Sequence, residues 1–305
     1  MKYSAQVSGQ DATVVIRNTG IAINDEFFDY ADFMRIYPNN HNIHLDLFPG
    51  KKIVISMLGF SFDGFWDELQ KSYENRCLAS MFIEEQVVMR CEGEYNLPTE
   101  SGRCSIVLYP DSICILPPSD KSVRLAFSQI KDLSVSGYIM TVSMLSGKVY
   151  TVGRMGYDTL PFFERAENLW KKNNLERARI IQTLHVEPPY TVSGIFRTYH
   201  PEQYWMAAVT DKKCALDLYT GADAATYLYE FEEPKEVFLQ NLSEALEAMS
   251  TNREIIYISD EVLSSNSLYR MTVKRCEAVV FLRSKFTGRL VHNEMHSQRL
   301  REFLK

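Results

Sequence analysis

Two histidines near the end of the chain, His292 and His296, flank Glu294 and have the spacing best suited to chemistry. On a helix, positions i and i+4 share one face, and two imidazoles so placed suit zinc. The glutamate is displaced from the HExxH pattern, and no third ligand is evident in the sequence. A second group, His41, His44 and Asp46, separates once a strand is laid over Ile43–Phe48. His44 and Asp46 then share a face while His41 falls in the turn. Cys276 sits between Arg275 and Glu277; an adjacent guanidinium lowers a thiol's pKa in principle, but a packed, inert cysteine is commoner. Ser146-Gly147-Lys148 resembles the end of a phosphate-binding loop, yet Val142 stands where that loop needs its first glycine. There is no GxSxG elbow, and Glu232 and Glu233, neighbours on a strand, point apart. Nothing assembles an acid, a base and an oxyanion stabiliser. The expectation is therefore no catalytic residue and no cofactor, with His292 and His296 as the metal candidates.

Charge patterning offers one more candidate. Between Asp217 and Glu247 the acids Asp217, Asp223, Glu230, Glu232, Glu233, Glu236, Glu244 and Glu247 face Lys235 alone. Between Leu268 and Val291 the bases Arg270, Lys274, Arg275, Arg283, Lys285 and Arg289 face Glu277 alone. The two stretches either face each other or point separately to water. The sharper reading makes the basic stretch a concave patch for an anionic partner or ligand, since arginine forks suit carboxylates and phosphates. Net charge over the whole chain is −6, and no third of it is basic overall. That excludes a protein built to coat nucleic acid.

These residues must be positioned by elements that the sequence repeats. Gly50–Tyr73, GKKIVISMLGFSFDGFWDELQKSY, recurs without a gap 97 residues later as Gly147–Trp170, GKVYTVGRMGYDTLPFFERAENLW. Gly50 falls on Gly147, Gly59 on Gly156, Phe60 on Tyr157 and Phe65 on Phe162. Each copy reads as turn glycine, strand, second glycine and amphipathic helix. Asp63 is the expected cap of the first helix and Asp158 or Thr159 of the second, with Pro161 in its first turn. Upstream, Ala12–Arg17, the turn Asn18-Thr19-Gly20 and Ile21–Ile23 form a hairpin, matched by Ser105–Tyr109, Pro110-Asp111-Ser112 and Ile113–Ile115. Tyr30–Ile36 matches Phe127–Leu133, and Lys52–Leu58 closes the first strand set. The second copy has gained five residues at Leu116–Lys121, where Pro117-Pro118 marks an exposed connection.

Short antiparallel strands over 80–100 residues, closed by one C-terminal amphipathic helix with a conspicuous aromatic, resemble the pleckstrin-homology-like superfold, including its GRAM branch. The resemblance implies a bent, half-open barrel plugged by the helix, with Trp66 and Trp170 as plug residues. The expected fold class is α+β: two tandem units of this kind at 1–77 and 78–184, followed by a separate α+β domain at 190–305. In that third segment Tyr190–Tyr199, Tyr204–Thr210, Cys214–Tyr219, Ala225–Phe231 and Glu254–Ser259 read as strands. Glu236–Met249 and Met295–Leu304 read as helices, and Leu268–Lys285 fits either one long helix or a helix and a strand.

The resemblance implies a non-enzymatic adaptor that presents surfaces to a protein partner. The first alternative is a peripheral membrane or anionic-lipid binder. The loops Val7–Ala12 and Cys91–Arg103, which would flank an inositol phosphate, offer only Arg103 against Asp11, Glu92, Glu94 and Glu100, so charge disfavours lipid. An enzyme of unknown class in the C-terminal domain is the second alternative. Scattered cysteines without a CxxC pair imply free thiols and a cytoplasmic location; the opening MKYSAQVSGQ lacks the layout of a signal peptide. The sequence does not set an oligomeric state.

Overall fold

The computed structural model describes residues 2–196, 203–219 and 225–305. Seven strands make the first sheet: β1 (Lys2–Val7), β2 (Gln10–Arg17), β3 (Gly20–Ile23), β4 (Glu26–Asp29), β5 (Phe33–Asn39), β6 (Asn42–Leu47) and β7 (Lys51–Ser56). They pair antiparallel in the order β4-β3-β2-β1-β7-β6-β5, and helix α1 (Phe62–Ala79) follows. The second sheet contains β8 (Met89–Asn96), β9 (Ser101–Leu108), β10 (Ser112–Leu116), β11 (Val123–Ala126), β12 (Ile130–Ser136), β13 (Ile139–Met144) and β14 (Val149–Gly153). Its order is β11-β10-β9-β8-β14-β13-β12, and α2 (Thr159–Thr183) follows. The two sheets thus have one topology, strand for strand.

The matched glycines hold the same backbone device in both copies. Gly50 and Gly147 lie at φ +116° and +82°, and Gly59 and Gly156 at +55° and +61°. Left-handed backbone is cheap for glycine and costly for other residues. Met57 and Arg154, also 97 apart, adopt it at +60° and +55°. The geometry of this corner has therefore been kept where the side chains have diverged.

Each helix drives an aromatic from its first turns fully into its sheet. Phe65 and Phe162 are both 0% exposed; Phe65 meets Tyr3 edge-on at 4.9 Å. Trp66 and Trp170, expected as the plugs, are only partly buried and pack at the margins of the two cores. The reason is helical phase: Phe65, Leu69 and Tyr73 form one line, and Trp66 lies a hundred degrees off it. The caps also differ from expectation. Short 3-10 turns at Gly59–Ser61 and Gly156–Asp158 lead into the helices, and neither Asp63 nor Asp158 makes a capping hydrogen bond. Asp63 sits inside the first turn, where its charge complements the helix dipole. Thr159 Oγ1 accepts from the Met155 amide at 2.9 Å.

The first helix has a second task. Strands β9 and β10 are buried on both faces: Ile106, Leu108, Ile113 and Ile115 point into the second core, and Val107, Tyr109, Cys114 and Leu116 join the core around α1. Glu74 of α1, 3% exposed, accepts from Ser105 Oγ at 3.0 Å and pairs with Arg90. Burial raises its carboxyl above the ordinary range, against the pull of Gln70, Arg90 and Ser105.

The five-residue insertion was expected as an exposed connection and is the opposite. Ile36 donates its amide to the Pro118 carbonyl and Asp120 donates to the Met34 carbonyl, both at 2.9 Å, with Arg35 and Ser119 in an antiparallel bridge. Ser119 is 4% exposed. The segment is a strap laid along edge strand β5, whose main-chain groups would otherwise lack partners.

The third region is a five-stranded antiparallel sheet in the order β15-β16-β17-β18-β19. Its first four strands are β15 (Thr191–Gly194), β16 (Tyr204–Val209), β17 (Lys213–Tyr219) and β18 (Ala225–Glu230). The helices α3 (Lys235–Met249), α4 (Asp260–Ser265), α5 (Ser267–Arg275) and α6 (Glu277–Lys285) come next, then β19 (Phe286–Val291) and α7 (His296–Leu304). The strand expected over Tyr190–Tyr199 is shorter, and Arg197–Tyr199 lie outside the described residues, as does Asp223. Glu254–Ser259, expected as a strand, opens instead with a 3-10 turn at Arg253–Ile256. Its apolar residues Ile255 and Ile256 pack with α3 and α6 in the core over one face of the sheet. Helix α7 covers the other face, where Leu300 meets Ala208, Ala215 and Leu228. No described helix is long and apolar enough to cross a membrane.

Truncating Phe65 to alanine is expected to cost about 3–5 kcal/mol, as for a fully buried aromatic, and Trp66→Ala clearly less. Urea unfolding followed by circular dichroism distinguishes them; equal losses at both positions would contradict the assignment of the plug.

Candidate functional site

A cavity of about 90 Å³ lies where the second sheet, α3 and the end of α5 meet. Strand β11 supplies Arg124, the following 3-10 turn Gln129, the β13–β14 turn Lys148, helix α3 Glu244 and Glu247, and α5 Arg275. Gly147 at φ +82° makes that turn, with its amide donating to the Met144 carbonyl at 3.0 Å. Ser146-Gly147-Lys148 is therefore a hairpin corner, and Lys148 reaches across to Glu244 Oε1 at 3.4 Å.

Most charge at this junction is paired. Arg124, 9% exposed, forks between the Asp111 carboxylate and, at 3.0 Å, the main-chain oxygen of Glu247. The Glu247 carboxyl meets the Ser128 hydroxyl. Burial pushes Glu247 up to about 7, opposed by Arg124, Ser128 and Arg177. Gln129, 5% exposed, donates to Ser243 Oγ at 2.6 Å, and among the described residues its Oε1 has no partner. Arg275 differs from the others. Its guanidinium donates to Ser80 Oγ at 2.6 Å and to the Ser80 carbonyl at 2.8 Å. Burial lowers its pKa, and the carboxylates nearest to it in the cavity lining are Glu244, which pairs with Lys148, and Glu247.

The six bases singled out in the sequence do not share one face. Arg270 binds Asp32 at 2.8 Å and lies 3.7 Å from Asp29; Lys274 binds Asp120 at 3.2 Å and the Phe33 carbonyl at 3.0 Å. These two are spent on holding α5 to the first sheet and the strap. Arg283 pairs with Asp260 at 2.7 Å, Lys285 with Glu233 at 2.6 Å, and Arg289 lies over the Tyr257 ring at 5.7 Å. The concave basic patch is replaced by internal pairing, and Arg275 alone of the six reaches the cavity. Arg124 and Gln129 were not found by sequence reasoning. The available signal was a charged residue inside the apolar run Val123–Phe127.

His292 and His296 do come together, with ring centroids 4.3 Å apart. They are not on one helical face: His292 follows β19 and His296 opens α7, so a turn brings them into register. Both Nε2 atoms converge on Thr226 Oγ1, at 3.0 and 2.8 Å, and Asp217 Oδ1 lies 3.4 Å from His292 Nε2. The Thr226 hydroxyl occupies the point a cation would need, and among the described residues no three His, Cys, Asp or Glu side chains form a metal-holding group. The cluster anchors α7 to the sheet. His41 and His44 part company as expected, against Phe62 and Tyr37 respectively. Cys276 is no activated thiol, since burial pushes it up to about 11.

No family model and no curated protein matches the chain. Among solved structures it is similar to the C-terminal domain of an unknown protein from Leishmania infantum, with 12% identity and a TM-score of 0.28 over 36% of this chain and 97% of that one. A likeness at that level carries no argument about fold or function.

Two pH effects follow. Because the folded carboxyl of Glu247 titrates above its ordinary 4.5, its contribution to stability is full below that value and is lost as pH rises through about 7. Relative to the parent, Glu247→Gln should gain about 2–3 kcal/mol between pH 4.5 and 8, read from urea titrations at each pH; a constant difference refutes it. His296 behaves in the opposite sense. Burial and His292 depress its pKa below 6.5, while Asp217 opposes them. Its contribution is therefore full above pH 6.5 and falls below it. Amide exchange in α7, corrected for intrinsic rates, should accelerate between pH 7.5 and 5.5, and His296→Gln should flatten that change.

Proposed function

We propose that the chain is a non-enzymatic adaptor whose two pleckstrin-homology-like units and third α+β region present a docking strand to an extended segment of a partner protein. One contrast between the two units supports this reading. In the first, edge strand β5 is covered by the 118–120 strap. In the second, the equivalent strand β12 pairs, among the described residues, with β13 only. Lys131, Asp132, Ser134, Val135 and Ser136 are exposed along it.

An open edge offers main-chain donors and acceptors at strand spacing, and an added strand satisfies them directly. The chain already makes such an addition to its own β5. Val135, Tyr138 and Ile139, at 44%, 67% and 41% exposure, give the edge an apolar end on which alternate side chains of a partner strand would pack.

The test uses a displayed peptide library selected on the intact chain. A recovered peptide is expected to protect the amides of Ile130–Ser136 from hydrogen exchange and to lose about tenfold or more in affinity against Val135→Asp/Tyr138→Asp. Peptides that protect other segments, or that bind this double variant as well as the parent, would remove the proposal.

A further inference from the structure

We infer that the junction cavity is a binding site for a small oxyanion of phosphate size, gripped by the Arg275 guanidinium with Lys148 and the Gln129 amide beside it. This goes beyond the docking strand β12, whose exposed residues Ser134, Val135 and Ser136 do not line the cavity, and does not depend on it.

The first argument is charge. Asp111 answers Arg124 and Glu244 answers Lys148. Among the described residues, Arg275 hydrogen-bonds to the Ser80 hydroxyl and carbonyl and is in no ion pair. That carbonyl belongs to the C-cap of α1, where the helix dipole supplies roughly half a negative charge. While the Glu247 carboxyl is protonated and turned to Ser128, the remaining charge has no carboxylate paired to it, and an unmatched, largely buried charge is costly. Arg275 is only partly covered and lines the cavity. A guanidinium presents five donors in a planar fork. Ser80 occupies one side, and the free donors suit two oxygens of one anion.

The second argument is independent of charge. Gln129 is buried, yet one end of its amide is idle while the other is held by Ser243. Buried amides are ordinarily satisfied at both ends. The two ends have the same shape, and the Ser243 hydroxyl serves as donor or acceptor equally well. The idle end can therefore donate to an anionic oxygen or accept from a hydroxyl on phosphorus. Volume agrees: the cavity of about 90 Å³ holds a few waters or one small anion, given that a water takes about 30 Å³ of liquid. Glu247 lines the same space, but its carboxyl is turned to Ser128.

Isothermal titration of the full chain with inorganic phosphate, and separately with acetate, tests this at pH 6.0, below the value of about 7 at which the Glu247 carboxyl ionises, with ionic strength held constant by chloride. Saturable one-to-one binding of phosphate is expected. Arg275→Lys, which keeps the charge and loses the fork, should weaken it about fivefold to tenfold, and Lys148→Met about threefold or more. Lys148 is 41% exposed at its side chain, so its replacement leaves the fold intact and decides the matter even if Arg275→Lys does not fold. Saturable binding of acetate with the same variant pattern, stronger than phosphate, also supports the site and assigns it to carboxylates. No saturable heat with either anion, or affinities unchanged in Lys148→Met, overturns the inference.

Discussion

The last turn of α1 ends inside the protein, and a buried helix end must find donors for carbonyls that its own ladder leaves open. Ser80, the C-cap, is 0% exposed. Its carbonyl receives the Thr272 hydroxyl and the Arg275 guanidinium, each at 2.8 Å. An unpaired buried carbonyl costs about 1–3 kcal/mol, so α5 is held to this one spot. With α5 fixed there, Arg270 and Lys274 fall opposite Asp32 and Asp120. The first sheet, the strap and the third region are thereby joined through one short helix.

Much of this architecture was legible in the sequence because both copies keep the same turn glycines and the same helical stripe. The strands that close each sheet across its middle were harder to see. β1 and β8 lie between β2 and β7 and between β9 and β14, but KYSAQV and MRCEGEYN alternate with small or polar residues and carry weak apolar signals. The contrast between β2 and β9 held information that a fold class alone does not use. QDATVVIR alternates, with one face in solvent, whereas SIVL at the end of β9 is buried throughout. A continuous apolar run in an antiparallel sheet signals a cover on its outer face, and that cover is α1.

The junction was legible only in part. Arg275 stood out as one base among six, but sequence spacing says nothing about which acid each base will meet. Five of them find partners or a ring, and the odd one is identified by what surrounds it in space. The histidine pair shows the same limit: the spacing of His292 and His296 suggested a helix, and the chain brought them together with a turn. Glu254–Ser259 fails for a different reason. A short apolar run has no periodicity to tell a strand from a buried turn, and packing against α3 and α6 decided it.

The strap along β5 makes the first sheet incomplete until residues 118–120 exist. A growing polypeptide leaves the ribosome from its N-terminus, so the first seven strands emerge with an unsealed edge and an α1 whose outer face has no β9 or β10 to lie against. Chaperone contact, or pairing between neighbouring nascent chains on one messenger, would fall in that interval. The insertion that distinguishes the second copy from the first therefore also sets the order in which the molecule becomes safe from itself.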